Sequence, residues 1–180
     1  LEMAVITAVG TLIASGVGML SSRGVEATRG NFGTKLTGRS AQAPRQIIYG
    51  ETRVGGTIAK MTTSGTDNSV LHLAIIVAGH EIHSIEKIFI NDIELTTTSA
   101  TTSGETVFTV TNSEFTNTDN DNSFGSGRLI RFTVHDGSQT AVDGLAQASL
   151  GTTQYPNTAK FQGMAYVYME LVYDPEKNGQ

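Results

Sequence analysis

The hydrophobic positions after residue 44 fall into short runs that clusters of Gly, Asn, Asp and Ser separate. Runs of this length and spacing predict β-strands. Residues 70–78 (VLHLAIIVA) form the most apolar run, and its continuity predicts a strand buried on both faces. The side chains of residues 128–134 are predicted to point alternately to the two faces of a strand, with apolar residues at every second position on one face. A last strand is predicted at 165–174, directly before Pro175.

Neighbouring strands with short connections are predicted between residues 46 and 95. The paired glycines Gly55 and Gly56 indicate a bulge or a close approach of two backbones. Residues 64–68 (SGTDN) form a turn cluster. Because the connections are short, we expect an antiparallel meander. Its strands are predicted at 46–50, 57–63, 70–78 and 81–90.

Residues 96–126 differ from the preceding segment, because they are mostly polar and turn-forming, with one strand-like patch at 106–110. We interpret them as a long exposed hairpin or loop between core strands. Residues 142–150 can form a short helix. One face of that helix would carry Leu145, Ala146 and Leu150. The pattern therefore predicts a mainly β fold: an antiparallel meander or barrel-like sheet domain with one short helix and an N-terminal apolar helix or extended arm.

The N-terminal segment, residues 3–20, carries no charged residue. Three interpretations stay open for it: a helix packed against other subunits through its small residues, a membrane contact, or a signal peptide that lacks the usual positive charge. Residues 21–43 read as a linker rich in Gly, Ser and Thr, with a locally basic character. We therefore divide the chain into a leader and arm at 1–43 and a β-rich domain at 44–180. Since the chain begins with Leu1 and not Met, we expect it to be a piece of a longer protein or an engineered one.

Length and composition narrow the functional classes. A chain of 180 residues and 19.1 kDa suits one domain of ordinary size. A formal net charge of −5 disfavours broad binding to a nucleic-acid backbone. The absence of Cys excludes disulfides, Cys-ligated zinc, iron–sulfur clusters and thiol catalysis. Abundant Thr and 20 glycines agree with a β-rich protein that has many turns.

The histidines are the first candidates for chemistry. His80 and His83 flank Glu81, but a zinc-protease helix places its histidines four residues apart, and here they are three apart in a predicted strand. That spacing puts the two imidazoles on opposite faces of the strand. A third ligand would have to come from His72 or His135, so we disfavour a metal site. His135 and Asp136 resemble a catalytic pair, but side chains of adjacent residues diverge.

The sequence gives little support for other catalytic or binding motifs. The chain has no G-x-S-x-G motif, and the glycines of 50–56 lack the spacing of a phosphate-binding loop. Tyr166 and Tyr168 share a face and could bind sugars or a partner, although a packed sheet face is the simpler interpretation. The remaining carboxylates are interpreted as solvent-facing strand residues: Glu51, Glu81, Glu86, Asp92 and Glu94. We therefore predict no catalytic, cofactor-binding or metal-binding residue, and no enzyme activity.

Several ordered blocks between about residues 44 and 175 together resemble a known family. They include APRQIIYG at 43–50, RVGG at 53–56, AGHE at 78–81, IEKIFIND at 85–92 and FQGMAYVY at 161–168. Further matching blocks are SGTDN at 64–68, LHL at 71–73 and YDP at 173–175. In order and spacing they resemble the N-terminal region of the tail-tip protein family of long-tailed, non-contractile bacteriophages, which includes the host-specificity or tip-attachment proteins of lambda-like phages.

The resemblance implies a structural virion protein without a cofactor. Members of that family form the hub at the distal end of the tail tube, usually as a trimer, and contact the distal tail ring and the end of the tape-measure protein. They contribute to host attachment and genome delivery, and are made in the host cytoplasm. This chain is far shorter than those proteins and ends just after 173–175, so the resemblance assigns no receptor-binding residues to it.

Two alternatives come from other functional classes. One is a membrane-tethered β-rich binding module that uses residues 3–20 as its anchor. The other is an enzyme that uses His80, His83 or His135. Replacing Ile75 with Asp tests the assignment of the core, because a central buried strand would not tolerate an unpaired carboxylate.

Overall fold

A computed structural model describes residues 45–117 and 123–174, together with the backbone of residues 3–8. In these residues it contains ten strands and one α-helix. The strands are β1 (Met3–Ala8), β2 (Glu51–Val54), β3 (Thr57–Ser64), β4 (Val70–Ala78), β5 (Ser84–Ile90), β6 (Ile93–Glu94), β7 (Thr97–Thr102), β8 (Glu105–Val110), β9 (Ile130–His135) and β10 (Ala165–Val172). The helix, α1, spans Gly144–Gln154. The predicted mainly β fold is confirmed.

Six strands form an antiparallel sheet, here called sheet B, in the order β3-β4-β10-β9-β8-β7. Within it, the interior strands β4 and β10 pair from Ala165 opposite Ala78 to Val172 opposite Val70, with a register shift after Ala165. These are the two most apolar runs of the chain, because both of their faces are covered. Ile75 in β4 is 0% exposed, so the prediction that this strand is buried is confirmed.

The other four strands form sheet A, in the order β2-β1-β5-β6, and here the predicted meander is wrong. β4 does not pair with β5, because the chain bends after Gly79 and β5 begins only at Ser84. The bend is held by hydrogen bonds from Gly79 N to Gln46 O and from Ile82 N to Asp136 O, both 2.8 Å. In sheet A, β1 runs parallel to β2 and to β5. The strand predicted at 46–50 is also wrong, since the ladder begins at Glu51.

Three layers result. Sheet A covers one face of sheet B through a shared apolar core, and α1 covers the opposite face. The core between the sheets includes Val54, Ile88 and Ile90 of sheet A and Val110, Phe132, Val167 and Met169 of sheet B. The core under α1 includes Val107, Leu145, Ala146, Leu150, Tyr155, Tyr166 and Tyr168. The alternation of β10 divides its residues between these two cores.

The predicted excursion at 96–126 is partly a hairpin, as expected. β7 and β8 pair from Thr97 opposite Val110 to Thr102 opposite Glu105, around a turn at Ser103 and Gly104. Both turn residues have positive φ, 53° and 78°, as a type I′ hairpin turn requires. However, β8 also pairs with β9 and its Val107 and Val110 are buried, so this strand belongs to the core rather than to an exposed loop.

The predicted helix is confirmed, with its boundaries shifted to Gly144–Gln154. The Asp143 side chain caps its N-terminus by accepting a hydrogen bond of 2.6 Å from Ala146 N. Within the part of the chain that the structure describes, no helix is long and apolar enough to span a membrane. At the N-terminus Met3–Ala8 is extended, which fits the arm and not the helix over these residues. The rest of the predicted leader and arm, residues 9–43, lies outside the described residues.

Candidate functional site

The histidines named from the sequence do not converge. His80 Nε2 accepts a hydrogen bond of 2.9 Å from Ile48 N, and its Nδ1 therefore donates to Glu81 O at 2.7 Å. His83 is exposed and precedes β5 rather than lying in the strand predicted at 81–90, and His80 lies in the bend before it. His72 and His135 are buried under α1 in separate contacts. Among residues 45–117 and 123–174 the structure contains no group of three or more His, Asp or Glu side chains that could hold a metal ion.

The carboxylates interpreted as solvent-facing are exposed: Glu51, Glu81, Glu86, Asp92 and Glu94. Glu94 forms a surface ion pair of 3.0 Å with Lys87. Tyr166 and Tyr168 are 0% and 1% exposed, so the interpretation of a packed sheet face is confirmed. His135 does not pair with Asp136; its Nε2 lies 2.7 Å from Asp143 Oδ2, the carboxylate that caps α1.

The main chemical constellation, here called the polar layer, lies between sheet B and α1. It is a chain of hydrogen bonds that joins Ser64, His72, Tyr168, Glu170, Arg131 and Ser149. Glu170 is 0% exposed and His72 is 2% exposed. Arg131 Nε donates to Glu170 Oε2 at 2.6 Å, and the Tyr168 hydroxyl donates to Oε1 at 3.0 Å.

The directions of the Tyr168, His72 and Ser64 hydrogen bonds in this chain follow from Glu170. Burial and the neighbouring Glu170 charge raise the pKa of Tyr168, so its hydroxyl keeps the proton that it donates to the carboxylate. The same hydroxyl oxygen accepts from His72 Nδ1 at 2.7 Å. In the neutral imidazole, Nε2 is then an acceptor for the Ser64 hydroxyl at 2.6 Å.

Glu170 itself stays ionised. Burial alone raises the pKa of this carboxyl, but the nearby polar side chains of His72 and Ser149, together with the charge and hydrogen bond of Arg131, outweigh burial, so its pKa lies below the usual range. The Arg131 guanidinium in turn lies 4.2 Å above the ring of Phe124. The polar layer thus ties β3, β4, β10 and β9 together beneath the helix.

The Ser64 and His72 pair has the geometry of a nucleophile and its base. The base is almost completely buried, however, and its second nitrogen is used by Tyr168 within the layer. What this arrangement supplies is a fixed set of hydrogen bonds that holds the strands in register. The sequence analysis missed the polar layer, although a signal was present, because each of the two most apolar runs contains a polar residue, His72 and Glu170. The structure shows that these two residues lie opposite each other in the sheet.

A second candidate is a surface, the docking segment, which we define as residues 45–50. Ile48 is buried at 2% exposure, while its neighbours Ile47 and Tyr49 are 67% and 83% exposed. The segment is held on both sides of Ile47, by Gln46 O accepting from Gly79 N and by Ile48 N donating to His80. Two large apolar side chains are therefore presented to solvent on a fixed backbone.

Glycines make this anchoring possible. A Cβ at Gly79 would lie 2.7 Å from Arg45 Cβ, closer than van der Waals contact allows. A Cβ at Gly137 would lie 2.7 Å from Glu81 Cα, and Gly137 O accepts from Gly163 N at 2.9 Å. The blocks 43–50, 78–81 and 161–168, which carry the family resemblance, thus include residues that hold one corner of the fold together.

Comparison of this chain with protein-family models, with curated proteins and with solved structures found no match.

Proposed function

We propose that this chain is a structural component of a bacteriophage tail tip, a hub subunit that closes the distal end of the tail tube and contributes to host attachment and genome delivery. In this role it acts in the virion by assembly, without a cofactor and without catalysis. Its partners would be further copies of itself, in a trimer, together with the distal tail ring and the end of the tape-measure protein. The family resemblance supplies these identities.

The docking segment is the structural observation that carries the proposal. Exposed large apolar side chains that are held rigidly are typical of residues that dominate protein–protein interfaces. Because the backbone of 45–50 is already fixed by Gly79 and His80, little conformational entropy is lost when a partner covers Ile47 and Tyr49. Fully burying a side chain such as Ile stabilises by about 1.5–3 kcal/mol.

A non-enzymatic role is also supported by the polar layer. Its buried charge, Glu170, is paired with Arg131 and its buried histidine is hydrogen-bonded at both nitrogens. The membrane-tethered alternative would need residues 3–20 as an anchor, and Met3–Ala8 would have to leave the centre of sheet A to serve it.

The experiment compares a docking variant with a matched surface variant in assembled tails. The docking variant carries Ile47→Asp and Tyr49→Asp; the control carries Met61→Asp, at a side chain that is 41% exposed on β3. Each is co-expressed with the neighbouring tail proteins of its phage, and tails are purified and analysed by mass spectrometry and electron microscopy.

We expect the original chain and the Met61→Asp control at the tail tip, and loss of the docking variant from tails with its melting temperature unchanged. Absence of the original chain from tails would refute the proposed function. Normal incorporation of the docking variant would refute the role of residues 45–50 while leaving the tail assignment standing.

A further inference from the structure

The centre of sheet A is filled by a strand from far away in the chain. β1 lies between β2 and β5, with Met3 opposite Glu51 on one side and opposite Ser84 on the other. Among the described strands β2 pairs only with β1, and β5 has one other neighbour, the two-residue β6. Without β1, sheet A would therefore be divided, and β2 would lose its ladder.

The connection between β1 and β2 is longer than their geometry requires. A crossover between parallel neighbours needs about a dozen residues. Residues 9–50 join these two strands, and a chain of that length can extend over roughly 130 Å. A domain of this size has a radius of gyration of only about 16 Å. The connection is thus long enough for β1 to reach the same slot in an adjacent copy.

The slot also adjoins the docking segment. Residues 45–50 lead directly into β2, and the first residue of β2, Glu51, is the register partner of Met3. A strand that entered from a neighbouring copy would therefore begin beside Ile47 and Tyr49, at the surface that the proposed function already assigns to subunit contact. One interface would then combine apolar contacts with a main-chain ladder.

We propose that in the assembled hub β1 of each copy occupies the slot between β2 and β5 of the next copy. This inference rests on the proposed function and names the partner of that surface: a second copy of this chain. The ladder hydrogen bonds are the same whether β1 is supplied by its own chain or by a neighbour, so exchange costs little once copies are adjacent. In head-to-tail exchange of this kind each copy both gives and receives one strand, and the copies form a ring when the rotation between them closes, as it would in the trimer of the proposed hub.

The test uses the absence of cysteine from the chain. Ala4 and Thr52 are register partners across β1 and β2, and neighbouring strands bring paired Cα atoms to about 5 Å, within disulfide range. Chains with Ala4→Cys alone are mixed with chains with Thr52→Cys alone, during co-expression with the tail proteins and also as purified full-length protein. After mild oxidation, non-reducing gels are read. Mixing Ala4→Cys with Thr63→Cys, in sheet B, is the matched control.

Strand exchange predicts a cross-linked dimer from the Ala4→Cys and Thr52→Cys mixture, at least tenfold more than from the control mixture. The double variant Ala4→Cys/Thr52→Cys should form covalent rings of several chains. Cross-linking of the double variant only within single chains, with no dimer from the mixture, would overturn the inference even if the chain is found in tails. A cross-linked dimer in purified protein that never enters tails would instead support exchange and refute the tail function.

Discussion

Replacement of Glu170 by Gln tests whether the polar layer holds the sheet together. The substitution keeps the size of the side chain but removes its charge and one acceptor oxygen. Glu170 accepts from Arg131 Nε at 2.6 Å and from the Tyr168 hydroxyl at 3.0 Å. An amide can satisfy one of these donors with its oxygen, while its NH₂ group faces the other donor.

The expected cost follows from burial. Removing one partner of a buried ion pair destabilises by about 3–5 kcal/mol. The Arg131 side chain is 27% exposed and can recover some hydration, so we expect the lower end, about 3 kcal/mol. With a urea m-value of about 2 kcal/mol/M, the unfolding midpoint should fall by roughly 1.5 M. The measurement is urea unfolding followed by circular dichroism at pH 7.

The pH dependence gives a second readout. Because the folded-state pKa of Glu170 is below its ordinary value of 4.5, the folded state binds fewer protons there than the unfolded state. The stabilisation is therefore complete above that ordinary value and is lost as the pH falls through the lowered value. The stability difference between the original protein and Glu170→Gln should shrink on acidification, whereas the exposed control Glu86→Gln should follow the original protein.

The reasoning would be refuted if Glu170→Gln unfolded within about 0.5 kcal/mol of the original protein at pH 7, which is the range of ordinary surface substitutions. It would equally be refuted if the variant kept the full acid-side slope of the original protein, since that slope would then belong to other carboxylates.

Three further predictions concern the core and its connections. Ile75→Asp should abolish cooperative unfolding in calorimetry, because the site is 0% exposed and lies in an apolar cluster with Ile58 and Leu73. Ile75→Val should cost only about 0.5–1.5 kcal/mol. A folded Asp variant would show that the core assignment is wrong. Gly56→Ala should lower stability by about 1–3 kcal/mol in urea, because the new Cβ would meet Ile75 and lie 2.9 Å from Ile76 O; an unchanged midpoint would contradict this packing. Asn112→Ala should cost about 0.5–1.5 kcal/mol and speed hydrogen exchange at Thr96 N, because Asn112 Oδ1 accepts a hydrogen bond of 2.7 Å from this amide. Unchanged exchange would contradict the contact.

The local hydrophobic pattern was sufficient to predict those strands and that helix whose own residues show which of their faces are buried. The continuous run of β4, the alternation of β10, the helix with Leu145, Ala146 and Leu150 buried, and the exposed carboxylates were all predictable. An apolar residue at every second position predicts a strand with one buried face, and a continuous apolar run predicts a strand with two, because side chains alternate along a strand. It does not state which strand lies beside it.

Neighbour relations were decided by tertiary structure. The bend after Gly79 moves β5 into a second sheet, and its cause is distant: hydrogen bonds to Gln46 and Asp136. The pairing of β1 with β2 joins segments separated by residues 9–50. Such pairings depend on the summed packing of distant segments, so short-range periodicity contains no signal for them.

For the candidate sites, too, some features follow from the sequence and others only from the tertiary structure. The sequence by itself determined that the named histidines have the wrong spacing for a zinc-protease helix, and that a polar residue interrupts each of the two most apolar runs. Only the folded sheet placed His72 opposite Glu170, with Arg131 beside it. Only the bend at Gly79 fixed the backbone that exposes Ile47 and Tyr49. The physical reason is that chemical type is a property of one residue, whereas burial, pairing and presentation arise from contacts between residues that are far apart in the chain.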